Sequence, residues 1–502
     1  MRIGDWLKRL DCELIQGSLD SPVDEVIYDS RKARENSVFV CIKGSTRDSH
    51  TFIPEVLAAG CRVLAVEEDV KVPDGVTVIR VKNGREALAE LSAARFGYPA
   101  EKMVTIGITG TKGKTTTSYM IKAVLEAAGK KTGLIGTNGA MIGKEKFPTS
   151  NTTPESYVVQ EYFSRMVEAG CEYLVMEVSS QALMLSRVGG IRFDYGLFTN
   201  ISPDHIGPLE HGSFEEYLYY KSRLLTICRN GIVNRADGHF EQVVKDASCR
   251  LYTYGLETEA DFSGDGIHYV SDPGFVGIEF HMKGIVSGQV RVGMPGRFNA
   301  DNALAALAVC SLALSDERKG REIPAETAGV LLRSLENIRV DGRMEIAHVS
   351  GTCSVIVDYA HNAVSMESLL TTLRNYHPKR LVCVFGCGGN RARERRFSMG
   401  EIGGRLADLC ILTADNPRFE KNEDIIRDIE TGMAKTDGKY MVIPDRREAI
   451  FHAVRHAEPG DMIAVIGKGH EDYQEIEGVR HHFLDREVVE EAVKEMSQTW
   501  KE

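Results

Sequence analysis

Thr109-Gly110-Thr111-Lys112-Gly113-Lys114-Thr115 is the segment whose residue types carry the plainest chemistry. Glycines let backbone N–H groups turn inward around phosphate oxygens, a helix N-terminus adds partial positive charge, the lysine reaches the outer phosphates, and the hydroxyl after it can hold Mg²⁺. The strict GxxxxGK[ST] spacing fails, because Ile108 stands where the first glycine belongs. The Gly-Lys-Thr core still sits between an apolar run and a helical pattern, so a nucleotide loop is favoured over a chance glycine turn. Glu177 closes the apolar run Tyr173-Leu174-Val175-Met176. A carboxylate leaving a strand beside such a loop can bind Mg²⁺; a solvated strand-end glutamate fits the spacing equally well. The 11 cysteines form no CxxC pair and lie mostly in apolar segments, which reads as buried thiols in a reducing compartment. Gly386-Cys387-Gly388-Gly389 fails the GxGxxG dinucleotide spacing, since position 391 is Arg.

The elements needed to position these groups are those of an α/β protein. The chain has 502 residues, 43% hydrophobic and 26% charged, enough for about three domains with ordinary cores. Its 61 basic against 72 acidic residues give a charge of −11, which argues against a broad nucleic-acid-binding surface and leaves room for a local basic site. No uninterrupted apolar run approaches the ~18 residues of a membrane span, and the charges in Met1 to Asp11 do not suit a signal peptide, so a cytoplasmic protein is expected. Residues 1–98 read as a small α/β domain. Residues 99–337 read as a central P-loop-type α/β domain with antiparallel hairpins added over 250–293. Residues 338–502 alternate strand and helix, which predicts a Rossmann-like, doubly wound parallel sheet with ligands at the carboxyl ends of its strands.

Further segments fall in order along the chain: Asn151-Thr152-Thr153-Pro154-Glu155, Thr199-Asn200-Ile201-Ser202-Pro203-Asp204-His205, Lys221 with its neighbours, Gly296 to Asn302, Gly342-Arg343-Met344-Glu345, and Asp358-Tyr359-Ala360-His361. With the glycine loop, this ordered set resembles the Mur ligase family over nearly the whole chain. Asp29-Ser30-Arg31, Asp415-Asn416-Pro417-Arg418 and Gly467-Lys468-Gly469-His470-Glu471 resemble the branch that adds meso-2,6-diaminopimelate to UDP-N-acetylmuramoyl-L-alanyl-D-glutamate.

The resemblance implies three domains, for UDP-substrate, ATP and amino acid, and an ATP-dependent amide ligase of peptidoglycan precursor synthesis working through an acyl phosphate. It implies ATP contacts at Gly110, Thr111, Lys112, Gly113, Lys114, Thr115, Thr116, Asn302, Arg343 and Asp358. Lys114, Glu177, His205 and Lys221 become the catalytic set, and Thr115, Glu177, His205 and Lys221 (as an N6-carboxylysine carbamate) the Mg²⁺ ligands. Ser30, Thr152, Thr153, Ser179 and Arg187 would hold the UDP-dipeptide. Arg391, Asp415, Asn416, Pro417, Arg418, Gly467 and Glu471 would hold diaminopimelate. Two departures stand out: Ile206 to His211 is less acidic than is common in the family, and Asn362-Ala363 lacks a proline often found there. The implied partners are small molecules, with no nucleic acid, no membrane span and a monomeric chain. A lysine-adding enzyme, another amide ligase of the family and a non-ligase P-loop ATPase remain as alternatives. The arginines that would meet anions are local: Lys114, Arg187 and Arg343 at the proposed phosphates and carboxylates, with Arg391, Arg393, Arg395 and Arg396 crowded in one segment.

Overall fold

The computed structural model describes residues 1–499 apart from 45, 46, 205, 208, 209, 273, 318–321, 351 and 352. The chain forms two compact units, Met1–Asp261 with Ala308–Glu317, and Phe262–Leu307 with Arg318–Glu502. Both are α/β, and their sheets make up the three-domain fold.

In the first unit, an N-terminal sheet runs in the order Cys12–Gln16, Thr77–Val81, Val63–Val66, Ser37–Val40, Glu25–Ile27. Four strands are parallel and Cys12–Gln16 is antiparallel on the edge. The parallel strands Ser37–Val40 and Val63–Val66 are buried throughout, because apolar residues cover both sheet faces. The edge strand was not anticipated: Leu14 and Ile15 are both exposed, so no inside/outside alternation marks it.

The same unit holds the parallel sheet around Val104–Thr109. Tyr173–Glu177 and Phe193–Phe198 flank that strand on either side. Thr132–Gly136 lies beyond the first, and Cys228–Asn234 and Arg250–Leu256 lie beyond the second. The first strand of the 250–293 stretch therefore differs from expectation. Its glycines and alternation read as a hairpin, yet Arg250–Leu256 pairs parallel with Cys228–Asn234.

The hairpins begin in the second unit, where Phe262–Asp272, Phe275–Lys283 and Gly288–Val292 pair antiparallel in sequence. There the six-stranded sheet runs Glu345–Val349, Cys353–Asp358, Asp461–Ile466, Arg380–Phe385, Leu409–Leu412, Tyr440–Val442. All pairings are parallel except the edge strand Glu345–Val349. The sheet's last strand in sequence, Asp461–Ile466, inserts between Cys353–Asp358 and Arg380–Phe385, which creates a switch point at the carboxyl ends of these three strands. Among the described residues one helix, Arg297–Glu317, is long and apolar enough to cross a membrane, and 83% of its apolar stretch is buried in the protein.

Candidate active site

The glycine loop is built by its neighbours. Val104–Thr109 runs into Gly110 and the helix Lys114–Ala127 begins four residues on, with Gly113 as its left-handed cap. Gly110 adopts φ +145°, and a Cβ there would collide with the Thr199 hydroxyl, so the close approach demands glycine. The Asn200 side chain braces the loop from the neighbouring strand end: its Oδ1 accepts from Lys112 N at 2.9 Å and its Nδ2 donates to Lys112 O at 3.0 Å. Thr111 Oγ1 lies 3.1 Å from the Tyr217 hydroxyl. Thr116 is buried in the first helical turn.

Two lysines converge on one carbonyl. Lys114 Nζ donates to Gly110 O at 2.8 Å, and Lys221 Nζ donates to the same oxygen at 2.7 Å. Lys221 is 2% exposed and its ammonium lies 4.8 Å from the Tyr217 ring centroid. Burial, helped by the Lys114 charge, pushes its amine well below the ordinary lysine value. Glu177 shows the opposite case. It is buried, and desolvation raises its carboxyl against the pull of Lys114. Its Oε2 accepts from Thr115 Oγ1 at 3.1 Å and from Thr137 Oγ1 at 3.2 Å, and its Oε1 from Thr137 N at 2.9 Å. Thr115 and Glu177 thus bring a hydroxyl and a carboxylate oxygen side by side, an all-oxygen donor set of the kind Mg²⁺ takes. His205, the remaining expected metal ligand, lies outside the described residues.

The same unit assembles most of the expected dipeptide set. Thr153 Oγ1 donates to Glu177 O at 2.8 Å and accepts from Ser179 N at 3.0 Å. Ser179 caps the helix Ser180–Met184 through Ala182 N at 3.1 Å. Thr152 Oγ1 lies 3.1 Å from Thr137 Oγ1, and Arg187 donates to Thr153 O at 3.1 Å. Ser30 opens the short 3-10 turn Ser30–Lys32 after Glu25–Ile27, where Asp29 caps the turn and grips Arg31 with both oxygens, at 2.9 and 2.8 Å. Its described hydrogen bonds do not tie it to the Thr152–Arg187 group.

The second unit gathers another cluster at the carboxyl ends of its six-stranded sheet. Asp415-Asn416-Pro417-Arg418 follows Leu409–Leu412, and Gly467 follows Asp461–Ile466. Gly467 adopts φ +113°, and a Cβ there would lie 2.7 Å from Asp415 Oδ2. Asn416 Nδ2 donates to Glu471 Oε2 at 2.8 Å, while Asn416 Oδ1 accepts from Glu475 N at 2.8 Å. Arg418, itself left-handed at φ +54°, donates to Gly389 O at 2.7 Å and stands 3.6 Å from Glu475. Pro417 packs its carbonyl against Gly389. Arg391 is exposed, its side chain lying along the Gly388 end of this group.

Asp358 receives Met344 N at 2.7 Å and Ala360 N at 2.8 Å, and desolvation raises its carboxyl. Arg343 lies 5.1 Å from the Tyr359 ring centroid. Asn302 joins Asn299 Oδ1 at 3.1 Å.

The crowded arginines need correction as an anion-facing group. Arg393 pairs with both oxygens of Asp428, and the buried Arg396 pairs with Asp428 and Glu420, so much of that charge is neutralised within the fold.

Several contributors had no sequence signal. Thr137 acts through contacts with distant segments. The wholly buried pair Arg446–Asp485, joined by two 2.7 Å bonds, also reaches Ala414 O at 3.2 Å and Ile466 O at 3.0 Å. Those carbonyls immediately precede Asp415 and Gly467, so one guanidinium ties both halves of the cluster together.

The chain is similar to known proteins in sequence and fold. Residues 108–310 match the Mur ligase middle domain, and residues 342–469 the Mur ligase glutamate ligase domain. The UDP-N-acetylmuramoyl-L-alanyl-D-glutamate–2,6-diaminopimelate ligase of Clostridium perfringens is 39% identical over 97% of this chain and 99% of its own. That of Clostridium tetani is 37% identical over 99% of this chain and all of its own. A solved structure of a ligase of the same name superposes with a TM-score of 0.75 at 27% identity, covering 99% of both chains. A MurF ligase of Thermotoga maritima in complex with ADP shares the fold at a TM-score of 0.56 and 16% identity. The loop, the buried carboxylate and the strand-end cluster thus lie in a chain that matches such relatives from end to end, and the chain belongs to the Mur ligase family.

Proposed function

We propose that the enzyme uses ATP to join meso-2,6-diaminopimelate to the D-glutamyl side chain of UDP-N-acetylmuramoyl-L-alanyl-D-glutamate. The observation that carries the choice of amino acid is the presence in one strand-end cluster of both the Arg418 guanidinium, donating to Gly389 O, and the Glu471 carboxylate, held by Asn416 Nδ2. Diaminopimelate ends distally in both a carboxylate and an ammonium. A guanidinium fork suits the first and a glutamate the second. Lysine lacks the distal carboxylate, so it would leave Arg418 without its ligand and be rejected.

A carboxylate is a poor electrophile at neutral pH, and ATP supplies the activation. A carboxylate oxygen of the substrate attacks the γ-phosphorus and the bond to ADP breaks, leaving an acyl phosphate. The amine then attacks the acyl carbon, loses a proton, and phosphate departs as the tetrahedral intermediate collapses. Lys114 and the N–H groups of Gly113 to Thr115 at the helix start would take up the negative charge on the phosphates, while Thr111 N and Lys112 N hold the loop to Asn200. Asn302, Arg343 and Asp358 are assigned to the same nucleotide, and Ser30, Thr152, Thr153, Ser179 and Arg187 to the UDP-dipeptide. Thr115 and Glu177, with His205 and a carbamylated Lys221, would hold Mg²⁺, which when bound supplies positive charge beside the phosphates. A neutral amine is the form that adds carbon dioxide, and the lowered Lys221 suits that modification. The same reading has the enzyme act as a monomer in the cytoplasm, where its 11 free thiols stay reduced.

The test is an ATP-dependent ligation with the purified UDP-dipeptide, comparing meso-diaminopimelate, L-lysine and L-ornithine. Product with diaminopimelate and little with the others is expected. Product with lysine alone refutes the amino acid, and no product with any amine refutes the ligase reading.

A further inference from the structure

Lys468 is a fully buried cation with no role in the chemistry above. It is 0% exposed, directly after Gly467 and three residues before Glu471. Its ammonium donates to Asn416 Oδ1 at 3.3 Å and to the carbonyl of Tyr473, and lies 3.7 Å from Glu471 Oε2. The backbone adds a turn on the same loop, Glu471 N to Lys468 O at 2.9 Å. The acceptors are informative. Tyr473 is at the far end of the loop that begins at Lys468, and Asn416 is the residue whose Nδ2 holds Glu471. One ammonium therefore closes the loop on itself and fastens it to the opposite half of the pocket. Burial drives the Lys468 amine down, and Asp415 is the strongest charge pulling it back up.

We propose that Lys468 is a positioning residue for amino-acid recognition: its buried ammonium staples the Gly469–Asp472 loop and docks it on Asn416, fixing the Glu471 carboxylate where it meets the substrate's distal ammonium. The inference deepens the function proposed above and rests on it.

The experiment measures kcat and separate KM values for diaminopimelate, ATP and the UDP-dipeptide in the full-length enzyme, Lys468→Met and Lys468→Gln. Lys468→Met keeps the stem and removes the donors. It is expected to raise KM for diaminopimelate about tenfold or more, with the other two KM values within about twofold. Lys468→Gln, which can still donate to one acceptor, is expected to recover part of the loss. An unchanged diaminopimelate KM in Lys468→Met overturns the inference. So does an equal rise in all three KM values alongside a lowered melting midpoint, the signature of a merely structural lysine. Should the Met variant fail to fold, Lys468→Gln decides alone: a selective rise of about threefold supports the inference and no change overturns it. A wild-type enzyme that makes no product with any amine refutes the function reading, and this inference with it. An active wild type beside an unaffected Lys468→Met refutes this inference only.

Discussion

The glycine loop and the strand-end cluster both bury ionisable side chains, and they differ in how far opposite charges are matched to them. At the loop, Glu177 is held by hydroxyls and a backbone N–H, and Lys221 by a carbonyl and an aromatic ring. Desolvation pushes each toward its neutral form. In the cluster, Arg446 is matched to Asp485, Arg418 stands beside Glu475, and Lys468 sits among Asn416, Glu471 and Asp415. In the first region burial opposes the charged forms of both side chains, which suits the phosphate and metal site proposed above. The second has internal partners for its charges, so on the function proposed above a substrate would exchange places with them. Discrimination would then follow, because a ligand lacking one group leaves a buried partner unpaired.

The largest expected effect tests the claim of internal completeness. Arg446→Met leaves Asp485 buried and unmatched, and is expected to destabilise the protein by about 3–5 kcal/mol in urea unfolding followed by intrinsic fluorescence. Adding Asp485→Leu should restore more than half of that, because no buried charge then remains. A double variant as unstable as the single one would show that the pair is not self-compensating, and that the carbonyls of Ala414 and Ile466 dominate.

The converse holds at the loop. Lys221→Met is expected to lower kcat by about 10²–10³-fold while making the ligand-free protein more stable near pH 7, measured in buffer free of carbon dioxide. The sign follows from proton binding. The folded state holds its Lys221 proton less tightly than the unfolded state, so folding is opposed by the proton wherever the unfolded lysine is charged. Stability contributed at this position therefore rises with pH through the window between the lowered folded value and the ordinary 10.5. The advantage of the methionine should shrink as pH is raised from 7 toward 10. The Gly110 carbonyl keeps Lys114 as a donor in the variant, so no acceptor is orphaned. A less stable Lys221→Met would break the comparison.

Arg418→Lys separates recognition from catalysis. Lysine keeps the charge but loses the fork, and the Gly389 carbonyl and substrate then compete for one ammonium. KM for diaminopimelate is expected to rise about 10- to 100-fold with KM for ATP little changed. Equal effects on both would deny Arg418 its place in the amino-acid pocket.

What the sequence made legible follows the same division. A phosphate loop depends on local backbone turns, so Gly110 to Thr115 could be read from spacing, and its strand–loop–helix setting appeared where expected. Glu177 could be placed at a strand end, but its hydroxyl partner Thr137 could not, because that contact spans 40 residues. Arg446 and Asp485 carry no motif at all; they meet across 39 residues only once the sheet has formed. The alternation of strand and helix in 338–502 announced the doubly wound sheet. The edge strands Cys12–Gln16 and Glu345–Val349 gave no such signal, since half-exposed edges lack a continuous apolar run. The arginines near 391–396 looked alike in sequence, and only packing separates the paired Arg393 and Arg396 from the exposed Arg391.

The smallest expected effect lies where neither description applies, at a neutral group. Tyr376 is buried, and its hydroxyl accepts from Gly296 N at 3.0 Å and donates to Gly277 O at 2.9 Å. Gly296 opens the segment that leads to Asn302: Pro295 O receives Asn299 Nδ2 at 2.7 Å, and Asn302 Nδ2 meets Asn299 Oδ1 at 3.1 Å. Tyr376→Phe keeps the ring against Tyr269, whose centroid is 5.3 Å away, and removes only the two hydrogen bonds. If Asn302 contacts the nucleotide, loosening Gly296 should raise KM for ATP about three- to fivefold, with KM for diaminopimelate unchanged and stability lowered by about 1 kcal/mol. A stability loss of that size with an unchanged ATP KM would leave Tyr376 as a packing residue and detach the Gly296–Asn302 segment from nucleotide binding. A matching rise in both KM values would mean that the loop and the cluster are coupled through this hydroxyl, and their contrast would then be one of chemistry alone.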